Sequence, residues 1–351
     1  MSAKRAAVAV VVVAAAAVVT LLWLGAPEDQ EDDAPEPAYA RPALFAPSSF
    51  LNRRLARDAP LDTASGPLMD AFRTQIRREQ DEGTGPWIQT DHSSTPIYRV
   101  PRRQPLVPVA LRTGPWGREL AAELARGVPI PPGARPAAGS DGHLTVHQPA
   151  TDTLWELWRA RRGAGGWEAR WGGVLRGVSR SPGHYAGSRH NWGSTASSIS
   201  VVGGVMTLAE LRRGRIDHAL ALNVPDARAG TFSWPAQRSD GTGGLATLPE
   251  GARLRLDPAL DVESLRLTRL GRIMARAAQR YGIVVRDRTH KATAFFGEDP
   301  TRTGRDPYRG GDGYFSGTPA DALAGFPWQH LQLLRMTLCT RGPCAGGPEA
   351  Q

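Results

Sequence analysis

The sequence is poor in cysteine, with only Cys339 and Cys344, both in the segment LCTRGPCAG. Metal binding through these thiols would need further ligands, and no other cysteine exists to supply them. Outside the cell, two cysteines with Gly and Pro between them are typical of a small loop closed by a disulfide. We predict a disulfide between Cys339 and Cys344, in a C-terminal loop and tail at 339–351.

Lysine is almost absent, because Lys4 and Lys291 are the only lysines among 43 basic residues. No compact basic run with interleaved aromatic residues occurs, so we expect no nucleic-acid partner. The net charge is +9, and it becomes more positive once residues 1–36, with two basic and six acidic residues, are set aside. Such a charge favours an acidic polymer, such as a uronate or a teichoic acid, or an anionic membrane. The arginine excess is equally typical of a GC-rich genome.

Several catalytic motifs are missing. There is no G-x-S-x-G nucleophile elbow, no H-E-x-x-H zinc motif and no glycine-rich phosphate loop after a predicted strand. His143 and His147 are four residues apart, which suits a shared metal ion on a helix but is too far along the strand predicted here. We therefore expect no nucleotide, no other cofactor and no metal ion.

The one long apolar run is Ala6–Leu24, which follows Lys4 and Arg5. As a helix it spans roughly 28 Å, close to the hydrocarbon thickness of a bilayer. Its length, and the proline after the cleavage-like LGA, favour an uncleaved signal anchor over a cleaved signal peptide. We predict a cytoplasmic stub at 1–5 and a transmembrane helix at 6–25. The protein would then be a single-pass membrane protein with its C-terminal domain outside the cell, and secretion after cleavage is the alternative.

After this run the composition becomes that of a solvated tether. Residues 26–40 contain six acids and three prolines and almost no large apolar side chain. We predict an acidic, proline-rich tether at 26–47 and an extracytoplasmic β-rich domain at 48–338. Within that domain, an N-terminal segment at 48–135 precedes a core at 136–338.

Alternating apolar residues predict a strand-rich domain. From His143, the segments HLTVHQP, TLWELWRA and WEARWGGVL predict three successive antiparallel strands. Further strands are predicted at HALALNV, TFSWPA, ARLRLD, IVVRD and ATAFFGED. The long Gly/Ser-rich stretch SPGHYAGSRHNWGSTASS predicts a binding loop.

Helical spacing is confined to a few segments. It predicts helices at 67–82, at 117–126, over TLAELRRG with Thr207 as its cap and Gly214 as its end, over SLRLTRLGRIMARAAQRYG and, as a broken helix, over ADALAGFPWQHLQLLRM. Eight or more short strands with few peripheral helices predict a mainly β fold, namely an antiparallel β-sandwich or jelly roll.

The segment DTLWELWRA places Asp152, Glu156 and Trp158 on one strand face. Tryptophans beside carboxylates are typical of sugar-binding grooves, and core packing is the alternative. Asp152 and Glu156 are roughly 13 Å apart along a strand, whereas a glycosidase pair needs about 5 to 9.5 Å. Each acid would therefore need a partner from another strand, such as Asp217.

A further candidate is His218, in GRIDHALALNV. Neighbouring strand residues point to opposite faces, so Asp217 cannot orient His218 as a simple dyad. His218 is predicted either as a base or hydrogen-bond donor, or as a buried structural histidine. The predicted catalytic residues are His218, Asp217, Glu156 and Asp152. The predicted ligand-binding residues are Trp158, Trp192 and Trp234 for stacking, Arg215 and Arg253 for an acidic sugar, and His147.

A string of motifs adds a resemblance: SSFLNRRLARDAPLD, PAAGSDGHLTVHQPATDTLWELWRA, WGGVLRGVS, GRIDHALALNVPDAR, SWPAQRSDG, LPEGARLRLD and QRYGIVVRD. Together they resemble a widespread set of exported proteins from high-GC soil bacteria. The resemblance covers roughly residues 48–300 and implies a single extracytoplasmic domain, but it transfers no catalytic residues. Leu51 stands where the more usual form of the first motif has tryptophan.

Two functions follow as hypotheses. In the first, a membrane-anchored domain binds or processes a cell-surface or environmental polysaccharide, and as an enzyme it would be a hydrolase or a lyase. In the second, the protein is a non-catalytic structural or interaction protein of the envelope, and its motifs specify the fold alone.

Overall fold

A computed structural model describes residues 44–114, 117–311 and 313–346. The predicted membrane helix at 6–25 and most of the tether lie outside these residues. No helix within the described ranges combines the length and the apolarity that crossing a bilayer requires. All of the described residues belong to one compact unit.

The described residues form mainly sheet with few helices, as predicted. The helices are α1 (Ser65–Asp81), α2 (Arg118–Ala125), α3 (Leu208–Arg213) and α4 (Arg269–Arg280). The strands are β1 (Trp87–Gln89), β2 (Ile97–Arg99), β3 (Val109–Leu111), β4 (Leu144–Gln148), β5 (Thr153–Trp158), β6 (Arg161–Gly163), β7 (Gly166–Ala169), β8 (Trp171–Arg176), β9 (Leu220–Val224), β10 (Phe232–Ser233), β11 (Arg253–Leu256), β12 (Ile283–Arg288), β13 (Ala294–Phe296), β14 (Leu331–Leu333) and β15 (Leu338–Cys339).

The helix ends follow local sequence signals. Thr207 caps α3 by a reciprocal capping box with Glu210, and Gly214 ends the helix in the left-handed conformation, both as predicted. Helix α4 is shorter than its predicted segment because Thr268 caps it, its side chain accepting a hydrogen bond from the Gly271 amide. Its buried face, which includes Leu270 and Met274, packs into the larger hydrophobic core.

The strands form two larger and two smaller sheets. The six-stranded sheet has the order β1-β13-β9-β12-β11-β14, and the four-stranded sheet has the order β2-β4-β5-β8. The smaller sheets are β3-β7-β6 and β10-β15. Each larger sheet has its own hydrophobic cluster, around Leu222 and Met274 in one and Val146 and Trp155 in the other.

Both larger sheets are mixed, whereas antiparallel sheets were predicted. The pairs β4/β5 and β5/β8 are antiparallel as expected, but β2/β4, β9/β12 and β1/β13 are parallel. Parallel neighbours need a long crossover, and β9 reaches β12 through β10, β11 and α4. Alternation of side chains does not show which distant strand will become the neighbour.

Two predicted segments differ in detail. WEARWGGVL breaks at Arg170 into β7 and β8, which join different sheets. The predicted broken helix after residue 319 forms two short 3-10 turns and then β14, because Pro327 removes a backbone donor between the turns. The disulfide between Cys339 and Cys344 is present, as predicted.

Candidate functional site

A cleft of about 1340 Å³ opens where the two larger sheets approach each other. The four-stranded sheet supplies Trp158 of β5 and Trp171 of β8, which are paired across neighbouring strands. The six-stranded sheet supplies Asn223 of β9 and Arg286 and Asp287 of β12. Concave sites of this size with a few convergent polar groups are where proteins bind ligands.

A β-bulge in β12 directs two neighbouring side chains into this cleft. Val285 pairs with Leu222 of β9, and Asp287 pairs with the next residue, Asn223, so Arg286 is an extra residue in β12. Consecutive residues of a regular strand point to opposite faces. Because the bulge interrupts that alternation, Arg286 and Asp287 both line the cleft.

Three carboxyl groups meet at this place. One oxygen from each of Asp240, Glu250 and Asp287 lies within 4.8 Å of the oxygens of the other two. Asp240 is exposed and Asp287 is half-buried, and both line the cleft. Glu250 is 0% exposed. The group therefore combines a solvated carboxylate with a desolvated one, which is how proteins separate an acid from a base.

A glycine in a strained turn positions Glu250. Gly251 has a φ of +83°, and a Cβ there would lie 1.7 Å from the carbonyl oxygen of Ser233. The Gly251 amide donates to the carbonyl oxygen of Val285 at 2.7 Å, and the Ser233 amide donates to that of Glu250 at 2.8 Å. Only glycine fits this turn, which holds Glu250 beside β12.

The loop that carries Asp240 is held by Arg238. Its Nε donates to Ser198 Oγ at 2.8 Å, and its Nη2 donates to the carbonyl oxygen of Thr195 at 2.8 Å. Asp240 itself faces Arg288, whose Nε lies 3.5 Å from Asp240 Oδ1. These contacts tie the loop to the Gly/Ser-rich segment that was predicted to be a binding loop.

Burial raises the pKa values of the carboxyl groups in this cluster that are withdrawn from solvent. Burial raises the pKa of Asp287 to about 6, and the charge of Asp240 adds to the rise. Hydrogen bonds from the amides of Ala196, at 3.0 Å, and Arg288, at 2.8 Å, oppose it. Asp287 is therefore half protonated near pH 6, where a carboxyl group can act as a general acid.

Burial and then the charge of Asp287 raise the pKa of Glu250 well above its ordinary value. Neither oxygen of Glu250 has a hydrogen-bond partner of good geometry among the described residues. The Ser239 hydroxyl and the Asp240 amide lie close enough to lower its pKa in part. Glu250 thus favours its neutral form, so the negative charge of the cluster lies on Asp240 and Asp287.

The same three oxygens are of the kind that bind a hard divalent cation. Arginines already supply compensating charge. Burial lowers the pKa of Arg238, and the charges of Asp287, Glu250 and Asp240 partly restore it. Arg286 and Arg288 add two more positive charges beside Asp287 and Asp240. With three arginines against three carboxyl groups, the charge balance favours acid–base chemistry over cation binding.

Indole rings from both larger sheets also line the cleft, Trp158 from the four-stranded sheet and Trp87 from the six-stranded one. Trp158 is half-buried, and its Nε1 donates to Asp141 Oδ1 at 3.2 Å. The guanidinium carbon of Arg159 lies 4.5 Å from the centre of the Trp158 ring. An indole held by its nitrogen presents a flat apolar surface, on which a sugar ring can stack.

Of the residues predicted from the sequence, only Trp158 lines this cleft. Asp152 lies in the turn between β4 and β5, where its carboxylate accepts from the amide and the hydroxyl of Ser179, both at 2.8 Å. Glu156 is 0% exposed. Its oxygens accept from Ser200 Oγ and from the amides of Val201 and Ser194.

His218 and Asp217 both precede β9 and are not strand residues. His218 is bonded at both ring nitrogens, Nε2 to Glu210 Oε2 at 3.1 Å and Nδ1 to the carbonyl oxygen of Ala219 at 2.9 Å. Asp217 accepts from Arg215 Nε at 2.7 Å and from the Tyr281 hydroxyl at 3.4 Å. These contacts are those of a structural network at the start of the strand.

The other predicted binding residues are dispersed. Trp192 is 3% exposed and packs under Arg189, whereas Trp234 contacts Phe50 edge-on. Arg253 is buried and donates to the carbonyl oxygen of Tyr281 at 2.7 Å. His147 is buried in β4. The ligand-binding and catalytic roles of all these residues stay predictions.

The Glu210–His218 pair leads to a pH-dependent expectation. Burial lowers the pKa of His218, but Glu210 overcomes this and raises it above the ordinary value of 6.5. Burial raises the pKa of Glu210, but His218 and Thr207 bring it below 4.5. The histidine stabilises the fold fully below 6.5 and loses that effect as pH rises through its folded pKa. The glutamate stabilises above 4.5, so the pair stabilises most between about 4.5 and 6.5.

We expect His218→Gln to lower the free energy of unfolding by about 1–3 kcal/mol at pH 5.5 and by less at pH 9. Urea denaturation of both proteins at the two pH values measures this difference. An equal loss at both would contradict the charged pair. Any polysaccharide-degrading activity should be unchanged in the same variant, whereas a catalytic His218 would make it fall.

Sequence reasoning missed all three carboxyl groups of the cluster, of which Asp240 and Asp287 line the cleft. Asp240 lies in SWPAQRSDG, Glu250 in LPEGARLRLD and Asp287 in QRYGIVVRD, which were interpreted only as motifs of the resemblance or of the fold. The available signal was weak, namely an acid beside glycine in two loops and an acid at the end of an apolar strand. Nothing in their spacing indicates that they meet.

Comparisons of the chain with models of protein families, with curated proteins and with solved structures gave no match.

Proposed function

We propose that the cleft binds and hydrolyses a polysaccharide, with Asp287 as the general acid and Asp240 as the nucleophile. The observation that carries this proposal is the pairing, within 4.8 Å, of the exposed Asp240 with the half-buried Asp287, whose pKa burial raises to about 6, in a cleft that an indole ring also lines. Retaining glycosidases place their two carboxyl groups about 5–5.5 Å apart, and inverting ones place them farther apart. The short separation favours the retaining reaction.

In the first step, a carboxylate oxygen of Asp240 attacks the anomeric carbon, and the bond to the leaving sugar breaks. The proton of Asp287 passes to the glycosidic oxygen, so the leaving sugar departs as a neutral alcohol. In the second step, Asp287 takes a proton from water, which attacks the anomeric carbon and releases Asp240. The charges of Arg286 and Arg288 lie beside these two carboxyl groups and limit the repulsion between them when both are ionised.

We also propose that residues 6–25 form the membrane anchor. A second part of the proposal is that the two larger sheets pack as a sandwich, with the cleft at their edge. The long apolar N-terminal run supports the first, and a hydrophobic cluster that joins Leu154 of β5 to Val284 of β12 supports the second. Such an enzyme would act on cell-surface or environmental glycans outside the cell.

The test is incubation of the detergent-solubilised chain with a panel of neutral and acidic polysaccharides, with measurement of new reducing ends. We expect new reducing ends on at least one polymer, without ultraviolet absorbance from an unsaturated sugar. Such absorbance would instead indicate a lyase. Binding without cleavage would favour a carbohydrate-binding protein, and neither binding nor cleavage would favour a structural envelope protein.

A further inference from the structure

Beside the three carboxyl groups, the cleft contains several polar atoms whose hydrogen-bonding capacity is unused. Among the described residues, Arg286 Nε, His143 Nδ1, Ser194 Oγ and Asn223 Oδ1 are inaccessible to solvent and have no hydrogen-bond partner. All four residues line the cleft. Arg286, His143 and Asn223 are 2%, 6% and 8% exposed. Polar groups are seldom buried in this way unless something satisfies them, so each one calls for an explanation.

The guanidinium of Arg286 is held rigidly. One of its terminal nitrogens donates to the carbonyl oxygen of Val201, and its central carbon lies 4.2 Å from the centre of the Phe296 ring. It is an extra residue of the β12 bulge, so its direction is fixed by the backbone. A planar guanidinium in a fixed orientation matches the geometry of a carboxylate better than that of a spherical ion.

Neither of the two carboxyl groups near Arg286 accepts a hydrogen bond from its unpaired Nε. Glu156 accepts its hydrogen bonds from Ser200, Val201 and Ser194, and burial raises its pKa towards the neutral form. Asp287 must be protonated when it acts as the general acid. When Asp287 is protonated, no ionised carboxylate among the residues that the structure describes is hydrogen-bonded to Arg286. An anionic ligand would supply that hydrogen-bond acceptor.

His143 adds hydrogen bonding without adding charge. The pKa of His143 is lowered to about 4, chiefly by burial, which the charge of Asp141 opposes and the charge of Arg286 reinforces. The imidazole is therefore neutral at physiological pH and can donate one hydrogen bond. Among the four groups with unused hydrogen-bonding capacity, Arg286 alone is charged, which suits a monoanion more than the double charge of a phosphate monoester.

We propose that Arg286, His143 and Ser194 form a subsite for the carboxylate of a uronic acid residue in the polysaccharide. This rests on the proposed function of the cleft and narrows its substrate to an acidic glycan. Asn223 Oδ1, an acceptor, would bond a hydroxyl group of the same sugar.

The test compares the binding of polygalacturonate and alginate oligosaccharides with that of their carboxyl-reduced forms, using the full chain in detergent. We expect the parent protein to bind the acidic forms more tightly. Arg286→Gln should weaken that binding roughly ten- to a hundred-fold, as loss of a charge-assisted hydrogen bond does, and leave the reduced forms within about three-fold. Arg170→Gln is the matched control, because this exposed arginine also lines the cleft and should cost less than about three-fold.

Equal weakening of acidic and reduced ligands by Arg286→Gln would overturn the subsite. If that variant unfolds, Ser194→Ala replaces it, and a loss confined to the acidic forms supports the proposal. Tighter binding of dextran sulfate or a teichoic acid than of every uronate would also overturn it. Cleavage of neutral glycans without acidic preference would leave the hydrolase standing and refute the subsite. Selective uronate binding without cleavage would support the subsite and refute the hydrolase.

Discussion

Asp287→Asn is expected to lower the rate of polysaccharide hydrolysis roughly 10²- to 10⁴-fold, the usual contribution of a general acid. Asparagine keeps the size of the side chain and cannot donate the proton that the leaving oxygen needs. Substrate binding should change little, because the contacts of the cleft with sugar rings remain. Initial rates and equilibrium binding on the most active polymer measure the two effects separately.

The pH dependence of the parent protein tests the same assignment. Since the acid must be protonated, and burial raises the pKa of Asp287 to about 6, the rate should fall as pH rises through that value. The groups that face it, Asp240, Glu250 and Arg286, shift this midpoint without changing the direction. The matched control is Glu82→Gln, an exposed acid on the lining of the cleft, which should keep its rate. A rate that rises above pH 6, or an Asp287→Asn variant with full activity, would falsify the role.

Glu156→Ala is expected to have the largest effect on stability, lowering the free energy of unfolding by roughly 3–5 kcal/mol. The change leaves the Ser200 hydroxyl and the amides of Val201 and Ser194 without their acceptor, in a site with no access to water. It also leaves a cavity between β5 and the loop that follows residue 193. A loss of this size should lower the melting temperature by several degrees in a chain of this length.

Glu156→Gln is the control for this change, because it keeps the volume and one acceptor oxygen. It should cost markedly less, and chemical denaturation of the two variants gives the comparison. The pair of variants also separates structure from catalysis. A catalytic Glu156 would make Glu156→Gln inactive at unchanged stability, whereas a structural one leaves the activity of that stable variant close to that of the parent.

The local elements of this fold could be predicted because they depend on residues close in sequence. The cap at Thr207, the stop at Gly214, the hairpin from Leu144 to Trp158 and the disulfide all follow from such signals. The parallel pairing of β9 with β12 does not, because it depends on the packing of everything between them. Strand alternation alone therefore predicted antiparallel sheets where the structure has mixed ones.

The site was harder to predict than the fold. Asp240 and Asp287 are separated by 46 intervening residues, and their meeting depends on the loop that Arg238 holds. The bulge at Arg286 is also hidden, since VVRDR reads as a regular strand that would send Arg286 and Asp287 to opposite faces. The strand position and aromatic character of Trp158 are local properties, so the sequence could point to a residue that lines the cleft, although its binding role stays a prediction.

The bulge in β12 has a consequence for where the polysaccharide would be cleaved. Under the two proposals, the proton donor Asp287 and the carboxylate anchor Arg286 are consecutive residues that both line the cleft. The uronic acid that Arg286 holds would then be one of the two sugars at the cleaved linkage. Because the subsite would lie on one fixed side of the proton donor, only linkages with the uronic acid on that side qualify, so in a copolymer of alternating acidic and neutral sugars every second linkage would be cut.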